Sequence, residues 1–189
     1  AEVLSNVSYP DASNYEDISA PTGQYNITVS DAATNTIEAI NVFLAVENGM
    51  SYTTIALGGL NNITDEAVEA ILTMDDRRTV ATEARLRVVH GSYAVAENIP
   101  VDVYLTPTAS ISGATAVIQN LAYGEFTDQL PVAEGDYYVT VTAAGDASTV
   151  ALATGPLTLS NNSNYTVIAR DPGTGETGSP LILATILNE

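Results

Sequence analysis

The sequence contains 189 residues, with 23 acidic side chains against five arginines and no lysine, and its formal net charge is −18. Five arginines cannot form the basic face that nucleic acids require, so we expect no nucleic-acid partner. The absence of cysteine excludes disulfides and thiolate metal sites, and a single histidine excludes a multi-histidine centre. Because 46% of the residues are hydrophobic, the chain is predicted to bury a core.

The composition also bears on where the protein works. No apolar run approaches the roughly 20 residues of a membrane-spanning helix, so no membrane span is expected. No basic and apolar leader is visible at the start, which is the pattern of a processed chain. An acidic, lysine-free surface favours an extracellular or cell-surface location, and a cytosolic acidic protein is the alternative.

The periodicity of the sequence is that of strands. Residues 25–29, 101–105 and 137–141 alternate apolar and polar side chains. Gly, Pro, Asn and Asp interrupt such segments at short intervals, as turns between strands do. The pattern predicts an all-β, antiparallel sandwich.

The same series of segments occurs twice. Residues 4–9 resemble 118–123, residues 22–29 resemble 134–141, and residues 51–56 resemble 164–169, at offsets of 114, 112 and 113. A spacing this constant predicts two related modules. We place module one at 1–78, a linker at 79–83 and module two at 84–189.

The two modules are not equally complete. Residues 84–117, which hold the strand segments 85–89 and 101–105, have no counterpart before residue 4. The fold is therefore predicted to be two tandem immunoglobulin-like β-sandwich modules, of which the first lacks its two N-terminal strands. Such a sandwich exposes backbone and core that need a partner, which the N-terminal residues, module two or another chain would supply.

Residues 62–78 are ambiguous between helix and strand. Thr64 suits a helix N-cap, and Arg77 and Arg78 suit a helix C-terminus. The same segment aligns with residues 181–187, and Val68, Ala70, Leu72 and Met74 alternate as in a strand. The alternation favours the strand.

Several motifs together resemble a known family. They are LRVVHGS at 86–92, PVDVY at 100–104, GDY at 135–137 and YTVIA at 165–169. This set resembles the prokaryotic family known as domain of unknown function 4397, across all of module two and the later elements of module one. Gly91 departs from the alanine usual in the family. The resemblance implies a β-sandwich of secreted or surface proteins, and it implies no activity.

His90 is the one candidate for acid–base catalysis. With Asp102 and Ser92 it supplies the residue types of a catalytic triad. However, Ser92 lies two residues from His90, and nothing resembles a nucleophile elbow. Hydrogen bonds that fix a strand-to-loop turn are the favoured interpretation of His90 and Asp102.

Paired carboxylates are the other catalytic candidates, because such pairs carry out glycoside hydrolysis. With so many acidic residues, pairs on solvated turns are expected by chance, so we predict no catalytic residues and no enzyme activity. The pairs are Glu16 and Asp17, Asp65 and Glu66, Asp75 and Asp76, and Glu134 and Asp136.

The sequence contains one weak calcium candidate and five glycosylation sequons. Asp171 and Glu176 offer two carboxylates in a Gly-rich loop, although the loop matches no full calcium consensus and a plain hairpin loop is favoured. No other cofactor is predicted. The sequons are at Asn6, Asn26, Asn62, Asn161 and Asn164.

The incomplete first module leads to a functional hypothesis. We expect an extracellular structural protein that assembles by β-strand complementation, as a homo-oligomer, filament or surface fibre. The alternative is a non-catalytic adhesion or ligand-binding module of a larger cell-surface protein. Candidate donor residues are Val3, Leu4, Val7, Tyr9, Val80, Leu86 and Val88.

Overall fold

The computed structural model describes residues 4–8, 11–19, 22–30, 38–58, 68–93, 99–172 and 182–187. These residues form twelve β-strands. No helix among them is long and apolar enough to cross a membrane. The chain is divided into two compact units, unit 1 at residues 1–76 and unit 2 at residues 77–189.

Unit 1 contains two antiparallel strand pairs. Strand β1 (Gly23–Ser30) pairs with β2 (Glu38–Val46), and β3 (Ser51–Gly58) pairs with β4 (Val68–Asp75). The ambiguous segment is therefore a strand over Val68–Asp75, as its alternation favours. Residues 59–67, which hold the helix-capping signal at Thr64, lie outside the described residues.

Unit 2 contains two four-stranded sheets. Their strand orders are β10-β9-β6-β7 and β12-β11-β5-β8. All described pairings are antiparallel except that of β5 with β11, which is parallel. The strands are β5 (Ala84–His90), β6 (Val101–Thr106), β7 (Ile118–Leu121), β8 (Leu130–Val132), β9 (Gly135–Ala143), β10 (Asp146–Leu159), β11 (Ser163–Arg170) and β12 (Ile182–Leu187).

The two sheets of unit 2 share one hydrophobic core, as in a sandwich. Leu86 and Val88 of β5 and Val167 of β11 belong to the same buried cluster as Val103 and Val141 of the other sheet. Each of these five side chains is at most 5% exposed. Burying an aliphatic side chain of this size contributes about 1.5–3 kcal/mol to folding. This cluster is what holds the sheets of unit 2 together.

The segment that precedes β5 packs onto unit 2. The backbone N–H of Asn162 donates to the carbonyl of Val80 at 3.0 Å and to that of Glu83 at 3.1 Å. The hydroxyl of Thr79 donates to Asn162 Oδ1 at 2.7 Å. The predicted linker, residues 79–83, is thus fixed to the turn between β10 and β11.

The strand registers of unit 1 repeat in unit 2. Tyr25 of β1 lies opposite Leu44, and Tyr137 of β9, its counterpart in the repeat, lies opposite Leu157. The order of strands along the chain is also the same. The pairs from Gly23↔Val46 to Asn26↔Phe43 therefore correspond to those from Gly135↔Leu159 to Tyr138↔Pro156, and beyond them irregularities in β10 shift the register by one residue.

The second strand pair follows the same rule. Tyr52 lies opposite Met74 in β3–β4, and its counterpart Tyr165 lies opposite Leu187 in β11–β12. Tyr165 follows Tyr52 along the chain by the same number of residues as Leu187 follows Met74. Strands β3 and β4 therefore correspond to β11 and β12.

Left-handed backbone positions repeat as well. Gly49 has φ of 82°, and Asn162, at the matching position of unit 2, has φ of 61°. Asn6 has φ of 54°, and its counterpart Asn120 has φ of 57°. Positive φ is uncommon outside glycine, and asparagine is one of the residues that tolerate it. The same left-handed positions thus occur twice in the chain, one of them in the turn before β3 and before β11.

Candidate functional site

Strands β5 and β6 hold the central positions of unit 2. β5 lies between β11 and β8, and β6 lies between β9 and β7. Each therefore hydrogen-bonds to a neighbour on both edges and contributes side chains to the core. Removing them would leave β9–β10 and β11–β12 as separate pairs.

The described strands of unit 1 form two separate pairs of this kind. β1–β2 and β3–β4 are separate two-stranded sheets, and no described strand of unit 1 corresponds to β5 or β6. β1 and β3, the counterparts of β9 and β11, each pair with one described strand. The candidate functional site consists of the positions beside β1 and β3 that β5 and β6 occupy in unit 2.

The segment that corresponds to β7 also differs between the units. Leu4 and Val7 are 47% and 52% exposed and belong to no strand, whereas their counterparts Ile118 and Leu121 are 9% and 6% exposed in β7. In unit 2, β7 is held by its pairing with β6. No described strand of unit 1 takes the position of β6, and residues 4–8 join no described sheet.

The face of β3 that corresponds to the core face of β11 is open. Val167 and Ala169 are 2% and 4% exposed in unit 2, whereas their counterparts Thr54 and Ala56 are exposed. Met74, on the same face of β4, is 60% exposed. Among the described residues, this face of unit 1 is therefore more exposed than its counterpart in unit 2.

The opposite face of β3–β4 is covered and held by a polar cluster. The carboxylate of Asp75, which is 7% exposed, accepts hydrogen bonds from the hydroxyls of Tyr15 at 2.9 Å, Thr53 at 2.6 Å and Thr73 at 3.0 Å. Ile55 is buried on the same face. A buried carboxylate is tolerated when donors satisfy it in this way. The prediction that Asp75 belongs to a solvated pair is therefore wrong, because Asp75 is buried.

Asp102 connects β7 to the turn between β9 and β10. Its carboxylate accepts from the backbone N–H of Asn120 at 2.8 Å and from that of Gly145 at 2.9 Å. Asp102 is 8% exposed. It therefore holds backbone in a turn, as predicted, and also in β7, and its described hydrogen bonds go to Asn120 and Gly145 and not to His90.

His90 lies in a closed environment at the end of β5. The residue is 0% exposed, and its ring meets that of Tyr123 edge-on, with centroids 6.1 Å apart. Burial lowers the pKa of His90, while the negative charge of Asp171 and the backbone of Ile99 oppose this shift. His90 is thus favoured in its neutral form.

Ser92 hydrogen-bonds to the carboxylate of Asp171, whereas the triad suggested by the sequence would use Asp102. The hydroxyl of Ser92 donates to Asp171 Oδ1, and the backbone N–H of Tyr93 donates to Asp171 Oδ2 at 3.0 Å. Ser92 is fully buried. The residue types of a triad are therefore not linked in the order Ser92, His90, Asp102, and Asp171 fixes the exit of β5 instead.

The calcium candidate is partly outside the described residues. Glu176 lies outside them, and Asp171 is engaged by Ser92 and Tyr93. Within the described part of the chain, no three His, Asp or Glu side chains are placed to hold a metal ion.

The other paired carboxylates have ordinary surface surroundings. Glu16, Asp17 and Glu134 are exposed, and Asp136 is exposed and accepts from the hydroxyl of Thr158 at 2.6 Å. Asp76 is also exposed. Asp65 and Glu66 lie outside the described residues.

The five sequons differ in exposure. Asn6 and Asn26 are exposed, Asn161 is half-buried, and Asn62 lies outside the described residues. Asn164 is 1% exposed, and its Nδ2 donates to the carbonyl of Arg78 at 3.5 Å. The folded chain leaves no room for a glycan on Asn164, so glycosylation is not expected at this sequon.

The candidate donor residues fall into three groups. Leu86 and Val88 already pack in the core of unit 2. The prediction that they are donor residues is therefore wrong. Val80 is half-buried beside the turn of residues 161–162. Leu4 and Val7 are exposed, and the remaining two, Val3 and Tyr9, lie outside the described residues.

Unit 2 also contains an apolar pocket of about 430 Å³ that is partly open to the surface. It lies between the sheets and is lined by side chains that include Leu86, Val103, Leu130 and Val139. None of the described residues that line it is charged. Side chains that face a void lose dispersion contacts, so the pocket marks a loosely packed part of the core. No feature of the sequence predicted it.

Comparison with known proteins gives a family and a similar solved structure among those that match. The C-terminal domain of AlgF from P. aeruginosa is similar at 14% identity and a TM-score of 0.35, over 56% of this chain and 98% of that domain. No curated protein matches. A family model matches residues 1–104 and again residues 92–185, which together span nearly the whole chain. The chain therefore belongs to the family described as Domain of unknown function (DUF4397).

Proposed function

We propose that the protein is an extracellular structural protein that assembles by β-strand complementation, with unit 1 as the acceptor. Each unit would be an immunoglobulin-like sandwich, and unit 1 would lack the two strands that β5 and β6 provide in unit 2. The carrying observation is that β3–β4 keeps the register of β11–β12, and β1–β2 that of β9–β10 over its first four pairs, while the two pairs remain separate sheets.

The immunoglobulin-like assignment has support from one recurring contact. The hydroxyl of Tyr165 accepts from the backbone N–H of Ser160, five residues earlier, and Tyr52 makes the same contact with Glu47. A tyrosine that bonds to backbone a few residues upstream is a recurring feature of immunoglobulin-like sandwiches.

Strand addition suits the open positions for an energetic reason. A donated strand would hydrogen-bond to the edge of β1 or β3 and would place alternate side chains on the exposed core face. Thr54 and Ala56 lie on that face and are exposed. Exposed strand edges otherwise promote unspecific association. Assembly would thus remove a liability of the isolated subunit.

Exchange between identical chains is the weaker form of this proposal. Each chain carries one β5–β6 pair among its described residues and has two units that need one. A copy that donates this pair opens its own unit 2, where Val101 and Val103 are 1% and 3% exposed. Exchange therefore completes unit 1 of one chain by opening unit 2 of another, and the number of incomplete units stays the same.

A second candidate function is that of a non-catalytic adhesion or ligand-binding module in a larger surface protein. The overlap of the two family matches favours it, because the first match continues from unit 1 through β5 and into β6. A family pattern that runs from one unit into the first strands of the next is expected for modules in series. In this case the strands that complete unit 1 would belong to the same polypeptide.

The assembly state of the purified chain tests the proposal. We would measure sedimentation and negative-stain images of residues 1–189 at low and high salt. Screening of the net charge of −18 should strengthen assembly between like-charged subunits. Filaments or oligomers that grow with salt support a fibre subunit. A monomer whose β1 and β3 amides are fully protected from hydrogen exchange would contradict an acceptor role.

A further inference from the structure

We propose that the segment completing unit 1 is a strand pair with the pattern of β5 and β6, basic on its first strand, that comes from outside residues 1–189. This inference rests on the proposed function and specifies the partner. The first donated strand would run parallel to β3, and the second would run antiparallel to β1.

The orientation follows from the registers of unit 2. β5 runs parallel to β11, with Val88 opposite Val167, and residue 54 corresponds to residue 167. β6 runs antiparallel to β9, with Val103 opposite Val141, and residue 29 corresponds to residue 141. The donor therefore places its counterpart of Val88 opposite Thr54 and its counterpart of Val103 opposite Val29.

The apolar pattern of the donor follows from the core of unit 2. Leu86 and Val88 of β5 and Val101 and Val103 of β6 are each at most 5% exposed and belong to the buried cluster. The donor thus requires large aliphatic side chains at alternate positions on both strands, because the face that it covers in unit 1 is exposed at Thr54.

Between the two valines of β6 the donor requires an acceptor for backbone N–H groups. Asp102 accepts from the backbone N–H of Asn120. Asn6 corresponds to Asn120 and has the same left-handed backbone, with φ of 54° against 57°. A donor carboxylate at the position of Asp102 would meet the backbone N–H of Asn6 in the same geometry.

The charge of the donor follows from the distribution of arginine. Residues 1–76 contain twelve acidic side chains and no arginine, lysine or histidine. Unit 2 contains all five arginines, and Arg85 and Arg87 lie on β5. Arg85 pairs with Glu83 at 2.9 Å, and Arg87 lies over the ring of Phe126. A basic first strand would therefore offset part of the acidic charge of unit 1.

A synthetic peptide with the sequence of residues 84–106 is the probe for this inference. It is added to the full chain, and hydrogen exchange of β1 and β3 is measured together with the stoichiometry of binding. We expect one peptide per chain and exchange slowed by about tenfold or more in both strands, because both edges become hydrogen-bonded.

Two matched peptides test the stated chemistry. A peptide with Val88→Asp and Val103→Asp should not slow exchange, because it puts charge on the core face. A peptide with Arg85→Glu and Arg87→Glu should bind about tenfold more weakly or worse at low salt. Equal binding by the charge-reversed peptide would overturn the basic first strand.

A disulfide tests the register, since the chain has no cysteine of its own. Thr54→Cys in the chain should crosslink to a peptide that carries Val88→Cys, and not to one that carries Ala84→Cys. To avoid dependence on the solubility of a free peptide, the same 84–106 sequence is also fused ahead of residue 1 through a Gly/Ser linker. The fusion should slow exchange in β1 and β3, and its Val88→Asp, Val103→Asp version should not.

The outcomes separate this inference from the proposed function. If β1 and β3 exchange fast in the chain alone and neither peptide nor fusion slows them, the donor assignment is overturned and the acceptor role stands. If the chain alone forms oligomers in which both strands are protected, a second copy is the donor, which also overturns the assignment. Protection of both strands in the lone monomer overturns both proposals.

Discussion

Tyr52 and Tyr165 make the same hydrogen bond at matching positions of the two units. The hydroxyl of Tyr52 accepts from the backbone N–H of Glu47 at 3.0 Å, and that of Tyr165 accepts from the backbone N–H of Ser160 at 3.1 Å. In both cases the partner lies five residues earlier, across the turn that leads into the strand. The repeat in the sequence is thus preserved at the level of a single contact.

We predict that Tyr52→Phe and Tyr165→Phe destabilise their own units by similar amounts. Each substitution removes the acceptor of one backbone N–H and keeps the ring, so a cost of about 0.5–1.5 kcal/mol is expected. Urea unfolding with exchange read out separately in β3 and β11 measures the cost. An effect of Tyr165→Phe alone would contradict the equivalence of the two contacts.

Asp102 is expected to be the most sensitive carboxylate of unit 2. Asp102→Asn leaves only one acceptor oxygen for the N–H groups of Asn120 and Gly145, and an unsatisfied buried group costs about 1–3 kcal/mol. The matched control is Asp136→Asn, because Asp136 is exposed and has a hydroxyl donor in Thr158. Chemical denaturation of both variants gives the comparison, and equal losses would contradict the role assigned to Asp102.

Asp75 has the corresponding importance in unit 1. Asp75→Ala leaves the hydroxyls of Tyr15, Thr53 and Thr73 without their common acceptor, and we expect a loss of about 1–3 kcal/mol in the stability of β3–β4. Asp76→Ala is the control, because Asp76 is the adjacent carboxylate and is exposed. Amide exchange of β3 and β4 measures both. If Asp76→Ala has the larger effect, the polar cluster does not hold this sheet.

Stability should depend on pH through His90. Burial lowers the pKa of His90 in the folded chain below the ordinary value of 6.5, which applies to the unfolded chain. As the pH falls below 6.5, the unfolded chain therefore binds a proton that the folded chain does not. Stability is therefore fully present above about pH 6.5 and falls as pH decreases, by at most about 1.4 kcal/mol per pH unit.

Urea unfolding between pH 7.5 and 5.5, above the range of most carboxylates, measures this slope. In His90→Gln the slope should be smaller, whatever the absolute stability of the variant. A slope that is unchanged in His90→Gln would show that another group is responsible.

The sequence predicted the strands well where alternation is strong. Residues 101–105 alternate clearly and form β6 (Val101–Thr106), and the alternating residues 25–29 and 137–141 lie within β1 and β9. Alternation depends only on neighbours along the chain, so it is visible without the fold.

The polar contacts were not visible in this way. The partners of Asp102 follow it by 18 and 43 residues, and those of Asp75 precede it by up to 60. Such contacts depend on which loops the fold brings together. The same limit explains the sequon at Asn164, whose motif is local but whose burial is tertiary.

The parallel pairing of β5 with β11 also sets the order in which the chain can fold. Val88 meets Val167, which lies far along the chain, so the sheet that contains β5 cannot close until most of unit 2 has been synthesised. The pairs β1–β2 and β3–β4 join strands that follow each other directly and form from local contacts. During translation unit 1 therefore has its hairpins ready long before unit 2 is complete. Electrostatic repulsion between the twelve carboxylates of residues 1–76 would then keep copies of these hairpins apart and oppose aggregation.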